Sequence, residues 1–272
     1  MLNVIRAESN GIPAGDRGLA YGDGLFETIH MRGRKAVLRA FHLDRMVADA
    51  GRLDIPVQRA ELDAGITQAG VDQAVAFQSE DWVLKLILTR GSGGRGYRPP
   101  ENSRPNLIVF ASPMPPIPDS AGVVAELSRF PLTVNPQLAG MKTLNRLEQV
   151  MASREFTGRE FELIMSDTAG NLVEGTRTNL FIRLGNEWFT PPVECLAVAG
   201  VMRRYLMECL GSAGYCVHEE NLPPAMLSSE NFRGLYLANS VVGIVPVRKL
   251  GGVDLPVEGG IETICDPLKT LE

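Results

Sequence analysis

The stretch from Trp82 to Pro113 constrains this chain most. WVLKLILTR (Trp82 to Arg90) reads as a strand, and Gly91, Gly93 and Gly96 behind it satisfy G-x-G-x-x-G. A dinucleotide fingerprint works only if a helix opens there, with its N-terminus aimed at a pyrophosphate. Here YRPPENSRP follows, carrying Pro99, Pro100 and Pro105. Proline removes a backbone donor and clashes with a helical turn, so no helix starts. The chain must return through a loop into a second strand, NLIVFASP (Asn106 to Pro113). That excludes a nicotinamide-type parallel sheet at this point.

Other segments follow the same style. IHMRG-RKAVL (Ile29 to Leu38) is a hairpin around a glycine turn. FHLDRMVADAGRL places Leu43, Met46, Val47 and Ala50 at helical spacing, and a second helix covers 59–77. VVAELSRFPL is a strand. MKTLNRLEQVMASREF is the clearest amphipathic helix, with Leu144, Leu147, Val150 and Met151 on one face. ELIMSD, LVEGTRTNLFIRL and EWFTPP form a meander, VMRRYLMECLGSAGY a helix opening after Gly200, and YLANSVVGIVPVRKL a strand with a bend. Strands and helices interleave without regular βαβ alternation. This predicts an α+β fold, two α/β subdomains with mostly antiparallel sheets. The proline-rich MPPIPDSAG puts a linker at 113–121, between subdomains 1–112 and 122–272, the second carrying Lys142.

Composition narrows the function classes. A net charge of −5 over 272 residues argues against a nucleic-acid partner, which asks for a clustered basic surface. No apolar run approaches the ~18 residues of a membrane span, and the N-terminus has no signal-type apolar core, so a cytoplasmic protein is expected. Cys195, Cys209, Cys216 and Cys265 form no CxxC pair, and His30, His42 and His218 are scattered, which predicts reduced thiols and no metal.

The chain has five lysines: Lys35, Lys85, Lys142, Lys249 and Lys269. Any chemistry needing a primary amine uses one of them. Lys35 and Lys269 read as solvated, Lys249 lies beside an exposed Gly-Gly, and strand alternation would expose Lys85. Lys142 stands at the mouth of the amphipathic helix, where the macrodipole opposes a cation and favours the neutral amine that Schiff-base chemistry requires. Its dull reading is a surface lysine. Glu174, mid-strand among apolar neighbours, is either an outward-facing glutamate or a carboxylate pairing with a protonated heterocycle. Gly200-Val201-Met202 opens a helix without a Ser, Thr or Asp cap, leaving amides for a phosphate; glycine is also an ordinary N-cap. Asn239-Ser240 offers donors at a bend, or is a plain turn. Arg90, Arg95 and Arg98 among the loop glycines could wrap a carboxylate, or simply decorate a hairpin loop.

An amine, a carboxylate and phosphate-binding amides are the parts of a pyridoxal-phosphate enzyme. DRGLAYGDGLFETI (Asp16 to Ile29) and HLDRMVADAGRL around Arg45 resemble the fold-type IV pyridoxal-phosphate enzymes, which include branched-chain and D-amino-acid aminotransferases and aminodeoxychorismate lyases. KTLNRLEQVMA at Lys142 and RGSGGRGY (Arg90 to Tyr97) look like the lyase branch. The resemblance implies a homodimer of two-subdomain chains, each holding pyridoxal 5′-phosphate between its subdomains. Lys142 would carry the cofactor and Glu174 would face its ring nitrogen. Arg45, the Val201 and Met202 amides, and Asn239 with Ser240 would hold its phosphate, although relatives often have Gly-Thr at the last pair. Arg90, Arg95 and Tyr97 would contact substrate. The implied reaction converts the small molecule 4-amino-4-deoxychorismate to 4-aminobenzoate and pyruvate; the alternative is a D-amino-acid or branched-chain aminotransferase. A non-catalytic protein with Lys142 merely paired is the rival from another class.

Overall fold

The computed structural model describes residues 2–6, 11–73, 77 and 79–271. The chain divides into two units: Met1–Pro115 with Lys142–Asn145 and Leu268–Glu272, and Pro116–Met141 with Arg146–Pro267.

In the first unit the elements are β1 (Asn3–Arg6), α1 (Arg17–Tyr21), β2 (Gly24–Arg32), β3 (Lys35–Ala36), α2 (Arg39–Arg52), α3 (Arg59–Gln73), β4 (Asp81–Thr89) and β5 (Asn106–Pro113). They form a five-stranded sheet in the order β1-β5-β4-β2-β3, antiparallel except for β1 against β5. Strand alternation gives β2 two faces. Leu25, Ile29 and Met31 join Leu43, Met46, Leu62 and Ile66 of α2 and α3 in one core. Glu27 lies on that same buried face at 1% exposure, a charge among hydrocarbon. Phe26, Thr28 and His30 line the opposite face. The expected helix over 59–77 stops at Gln73, and 74–76 lie outside the described residues.

The second unit contains β6 (Val123–Leu127), α4 (Leu147–Ser153), β7 (Glu162–Ser166), β8 (Leu172–Gly175), β9 (Asn179–Leu184), β10 (Glu187–Thr190), α5 (Val201–Ser212), β11 (Cys216–Glu219), β12 (Phe232–Asn239), β13 (Gly243–Leu250) and β14 (Val253–Asp254). Its sheet runs β11-β10-β9-β12-β13-β6-β7-β8, and β8 pairs back onto β9 where Glu174 meets Asn179. The six strands from β9 to β8 thus close into a ring around Ile164, Leu180, Ile182, Leu235, Leu237, Val245 and Val247. Among the described residues, no helix is long and apolar enough to cross a membrane, and no cluster of His, Cys, Asp or Glu could hold a metal ion.

Several expectations change. YLANSVVGIVPVRKL is two antiparallel strands, β12 and β13, with Ser240 in the turn between them. LVEGTRTNLFIRL breaks into β8 and β9. The amphipathic helix shrinks to Leu147–Ser153, and half of its expected core face points outward: Leu147 is 72% and Val150 56% exposed, while Leu144 and Met151 are half-buried. Gln149 and Ala152 are buried instead, Ala152 against Met165 and Val173. The residues before the helix are taken by strand pairing: Phe26 N donates to Lys142 O and Leu144 N to Gly24 O, both at 3.0 Å, with a bridge at Leu25–Thr143. Lys142–Asn145 therefore belongs to the first unit, not to a 122–272 subdomain.

Candidate active site

Lys142 is fixed through its backbone. Its carbonyl accepts from Phe26 N, its amide donates to Asp49 Oδ2 at 3.1 Å, and its Nζ lies 4.3 Å from the centroid of the Phe26 ring. The helix-mouth argument for Lys142 fails, because α4 begins only at Leu147. What singles Lys142 out is β2, which holds it in extended pairing.

Beside it, α2 carries His42, Arg45 and Asp49 at helical spacing of three and four, so one stripe faces Glu27 and the Lys142 segment. His42 Nδ1 lies 2.6 Å from Glu27 Oε2, while Arg45 donates through Nε at 2.7 Å and Nη2 at 2.5 Å to the two oxygens of the same carboxylate. Burial pushes the Glu27 pKa up, but Arg45 and His42 outweigh it and bring it down to about 2. Glu27 stays ionised. His42 is held below its ordinary pKa chiefly by burial, against the pull of Glu27. A neutral imidazole donating from Nδ1 leaves Nε2 as an acceptor, and Nε2 is buried with no hydrogen-bond partner among the described residues. The Asp49 carboxyl is raised by burial, with the Lys142 amide bond opposing.

In the second unit, Glu174 is 3% exposed, which settles its sequence ambiguity towards the interior. Its Oε2 accepts from Val198 N at 3.2 Å, and Gln149 Nε2 lies 3.5 Å from Oε1. Asn179, the register partner of Glu174, grips the same loop: its Nδ2 donates to Val198 O at 2.9 Å and its Oδ1 accepts from Gly200 N at 3.1 Å. The loop entering α5 is thereby tied to the carboxylate. Gly200 is the N-cap of α5 and provides no side-chain cap. A Cβ there would lie 2.1 Å from Asn179 Oδ1, so a Ser, Thr or Asp would have to push Asn179 aside to fill the role. Val201 and Met202, both buried, open a helix whose first amides no side chain caps. In the β12–β13 turn, Asn239 Oδ1 accepts from Val241 N and Val242 N, each at 2.9 Å, and Ser240 follows it half-buried.

The arginine loop departs from expectation. Arg90 is buried and its guanidinium is engaged within the protein. It donates through Nε (2.7 Å) and Nη2 (3.0 Å) to Asp23, through Nη1 to Asp54 O (2.8 Å) and through Nη2 to Leu53 O (2.6 Å). Arg95 and Tyr97 are exposed, Tyr97 at 84% with its ring edge-on to Tyr21. The loop is latched by the Asp16–Ile29 motif. Arg17 donates to Gly96 O at 3.0 Å and to Tyr97 O at 2.7 Å, and its Nε reaches Asp23 at 2.8 Å. Asp16, fully buried, caps α1 through Gly18 N and accepts from Thr89 Oγ1 and Asn106 Nδ2.

Sequence reasoning did not single out Glu27, His42 and Asp49, which the fold brings beside the Lys142 segment. Glu27 carries the same signal that flagged Glu174, a carboxylate in an apolar strand. His42 and Asp49 interrupt the apolar stripe that defines α2.

The Amino-transferase class IV family profile matches residues 24–250. The chain belongs to that family. It is 32% identical over 256 residues to the aminodeoxychorismate lyase of Vibrio harveyi, covering 90% of this chain and 91% of that protein. Among solved structures it resembles the 4-amino-4-deoxychorismate lyase of Pseudomonas aeruginosa, with TM-score 0.88, 37% identity and coverage of 96% and 95% of the two chains. It also resembles a hypothetical aminotransferase from Mycobacterium tuberculosis in its PLP-bound form, with TM-score 0.80, 25% identity and coverage of 97% and 93%. The family and that PLP-bound neighbour imply pyridoxal phosphate as cofactor. Each unit carries residue types that suit such a cofactor: in the first, an amine held in place at Lys142, and in the second, a buried carboxylate at Glu174 and a helix N-terminus that Gly200 leaves without a side-chain cap.

Proposed function

We propose that this chain is a pyridoxal-phosphate-dependent lyase converting 4-amino-4-deoxychorismate to 4-aminobenzoate and pyruvate. The observation that carries the reading is Lys142, its backbone clamped by Asp49 and Phe26, in a chain 37% identical to a solved lyase of that substrate. Lys142 would carry the cofactor and Glu174 would face its ring nitrogen. Arg45, the Val201 and Met202 amides, and Asn239 with Ser240 would hold its phosphate. Bound there, the cofactor supplies an electron sink for the carbon bearing the substrate amine.

The chain's own residues do the proton work. Lys142 Nζ removes the proton from the amine-bearing ring carbon. The C–O bond to the enolpyruvyl group breaks, its electron pair leaving with the oxygen, and the ring becomes aromatic. Lys142 then returns its proton to the departing enolpyruvate, which becomes pyruvate. Glu174, a buried carboxylate, favours positive charge on the group it faces. The same proposal includes a homodimer, which sedimentation would measure.

The test is reductive trapping of the holoenzyme with borohydride, followed by peptide mass spectrometry and an assay for 4-aminobenzoate release. The expected result is a label on Lys142 and stoichiometric 4-aminobenzoate and pyruvate. A labelled enzyme that releases no 4-aminobenzoate but exchanges amino groups with a keto acid would be an aminotransferase. An unlabelled, colourless protein would overturn the cofactor assignment as well.

A further inference from the structure

A substrate with two carboxylates asks for cations, and the arginine expected to supply one, Arg90, is spent on Asp23 and two carbonyls. The outer face of the five-stranded sheet provides another. Lys85 of β4 stands opposite Thr28 of β2 and Phe110 of β5. Its Nζ lies 5.0 Å from the Phe26 centroid and 5.5 Å from that of Phe110. The Phe26 ring is the one over which Lys142 Nζ also sits. The alternation that predicted a solvated Lys85 placed it on the right face, but the flanking rings leave it half-buried. Among the described residues, no carboxylate forms an ion pair with it, whereas Lys249 has Asp254 at 3.5 Å. Burial alone accounts for the lowering of its pKa, with no anion pulling the other way. A half-buried ammonium supported only by ring faces is a site for an anion: cation–π contact offsets part of its desolvation, and a carboxylate would supply the rest.

We propose that Lys85 is a specificity-determining residue that binds a carboxylate of the substrate while the substrate amine reacts at Lys142. The inference rests on the lyase reading and names how that site selects an amino acid whose carboxylate lies away from its amine. Two groups qualify: the ring carboxylate, retained in 4-aminobenzoate, and the enolpyruvyl carboxylate, which leaves as pyruvate.

The experiment uses holoenzyme with Lys85→Met and Lys85→Arg. Equilibrium binding of 4-aminobenzoate, aniline and pyruvate is measured beside the steady-state constants for 4-amino-4-deoxychorismate. Losing a charge-assisted bond should raise KM roughly ten- to hundredfold, more than kcat falls. Binding of 4-aminobenzoate should weaken by a similar factor in Lys85→Met while aniline is unaffected, and Lys85→Arg should recover most of the loss. If pyruvate weakens instead of 4-aminobenzoate, the enolpyruvyl carboxylate is the one bound and the proposal stands. It is overturned if KM and both carboxylates are unmoved, or if aniline weakens as much as 4-aminobenzoate, the mark of a merely structural lysine. Because the binding measurements need no turnover, an enzyme labelled on Lys142 but inactive on 4-amino-4-deoxychorismate would refute the lyase reading and still report on Lys85.

Discussion

The backbone amide of Lys142 donates to Asp49 Oδ2 at 3.1 Å, tying the amine-bearing segment to α2. Asp49→Leu removes the acceptor and leaves a half-buried amide without a partner, a cost of about 1–3 kcal/mol. It should lower Tm and reduce kcat by loosening the reach of the amine. Asp49→Asn keeps an acceptor oxygen and should retain most of both. Thermal unfolding and steady-state kinetics on the pair check this; equal kcat in all three proteins would remove the positioning role.

Buried Arg90 forms a bidentate pair with half-buried Asp23 and also secures two carbonyls. Removing Arg90 leaves Asp23 paired with Arg17 at 2.8 Å but takes the guanidinium donors from Leu53 O and Asp54 O, a cost of about 1–3 kcal/mol. Arg90→Met should depress Tm while the folded fraction keeps its KM. A raised KM at unchanged Tm would mean that Arg90 contacts substrate after all.

The Glu27 cluster makes stability depend on pH with a defined sign. Its carboxyl falls from an ordinary 4.5 to about 2 on folding, so its contribution is complete above 4.5 and disappears as pH drops from there to about 2. His42, lowered from 6.5, acts in the same direction at a higher pH: the unfolded chain takes up its proton first, and stability declines as pH falls below about 6.5. Urea unfolding between pH 7 and pH 3 should therefore show a falling limb. His42→Asn should erase its upper part, and an unchanged limb in that variant would contradict the assignment.

Gly200 leaves no room for a β-carbon, since Asn179 Oδ1 would lie 2.1 Å away. Gly200→Ala must displace Asn179 and with it the amides of α5. Cofactor binding, followed by absorbance, should weaken at least about tenfold, the loss of one or two charge-assisted bonds. Cofactor affinity equal to the parent protein would place the phosphate elsewhere.

How much of the site was legible in the sequence depends on what each signal measures. Lys142, Glu174 and the uncapped α5 carry local oddities: an amine after a small-residue run, a carboxylate in an apolar strand, a glycine where a cap belongs. Arg90 shows the limit, because an arginine among glycines looks the same whether its fork meets a ligand or Asp23. Lys85 shows it in reverse. Alternation fixes which face of the sheet it occupies, but not that Phe26 and Phe110 close around its amine.

Sequence by itself determined the strand–loop–strand path around Gly91 to Gly96, the α+β class and the family resemblance. Prolines, glycines and alternation act within a few residues of themselves, and their consequences can be read in order along the chain. Only the tertiary structure decided that 141–146 leaves its helix to pair with β2, and that Asp23 takes Arg90 from 67 residues away. Hydrogen bonds and burial are settled by which partners the whole fold brings together, and helical periodicity yields wherever a strand edge offers a better set of donors and acceptors.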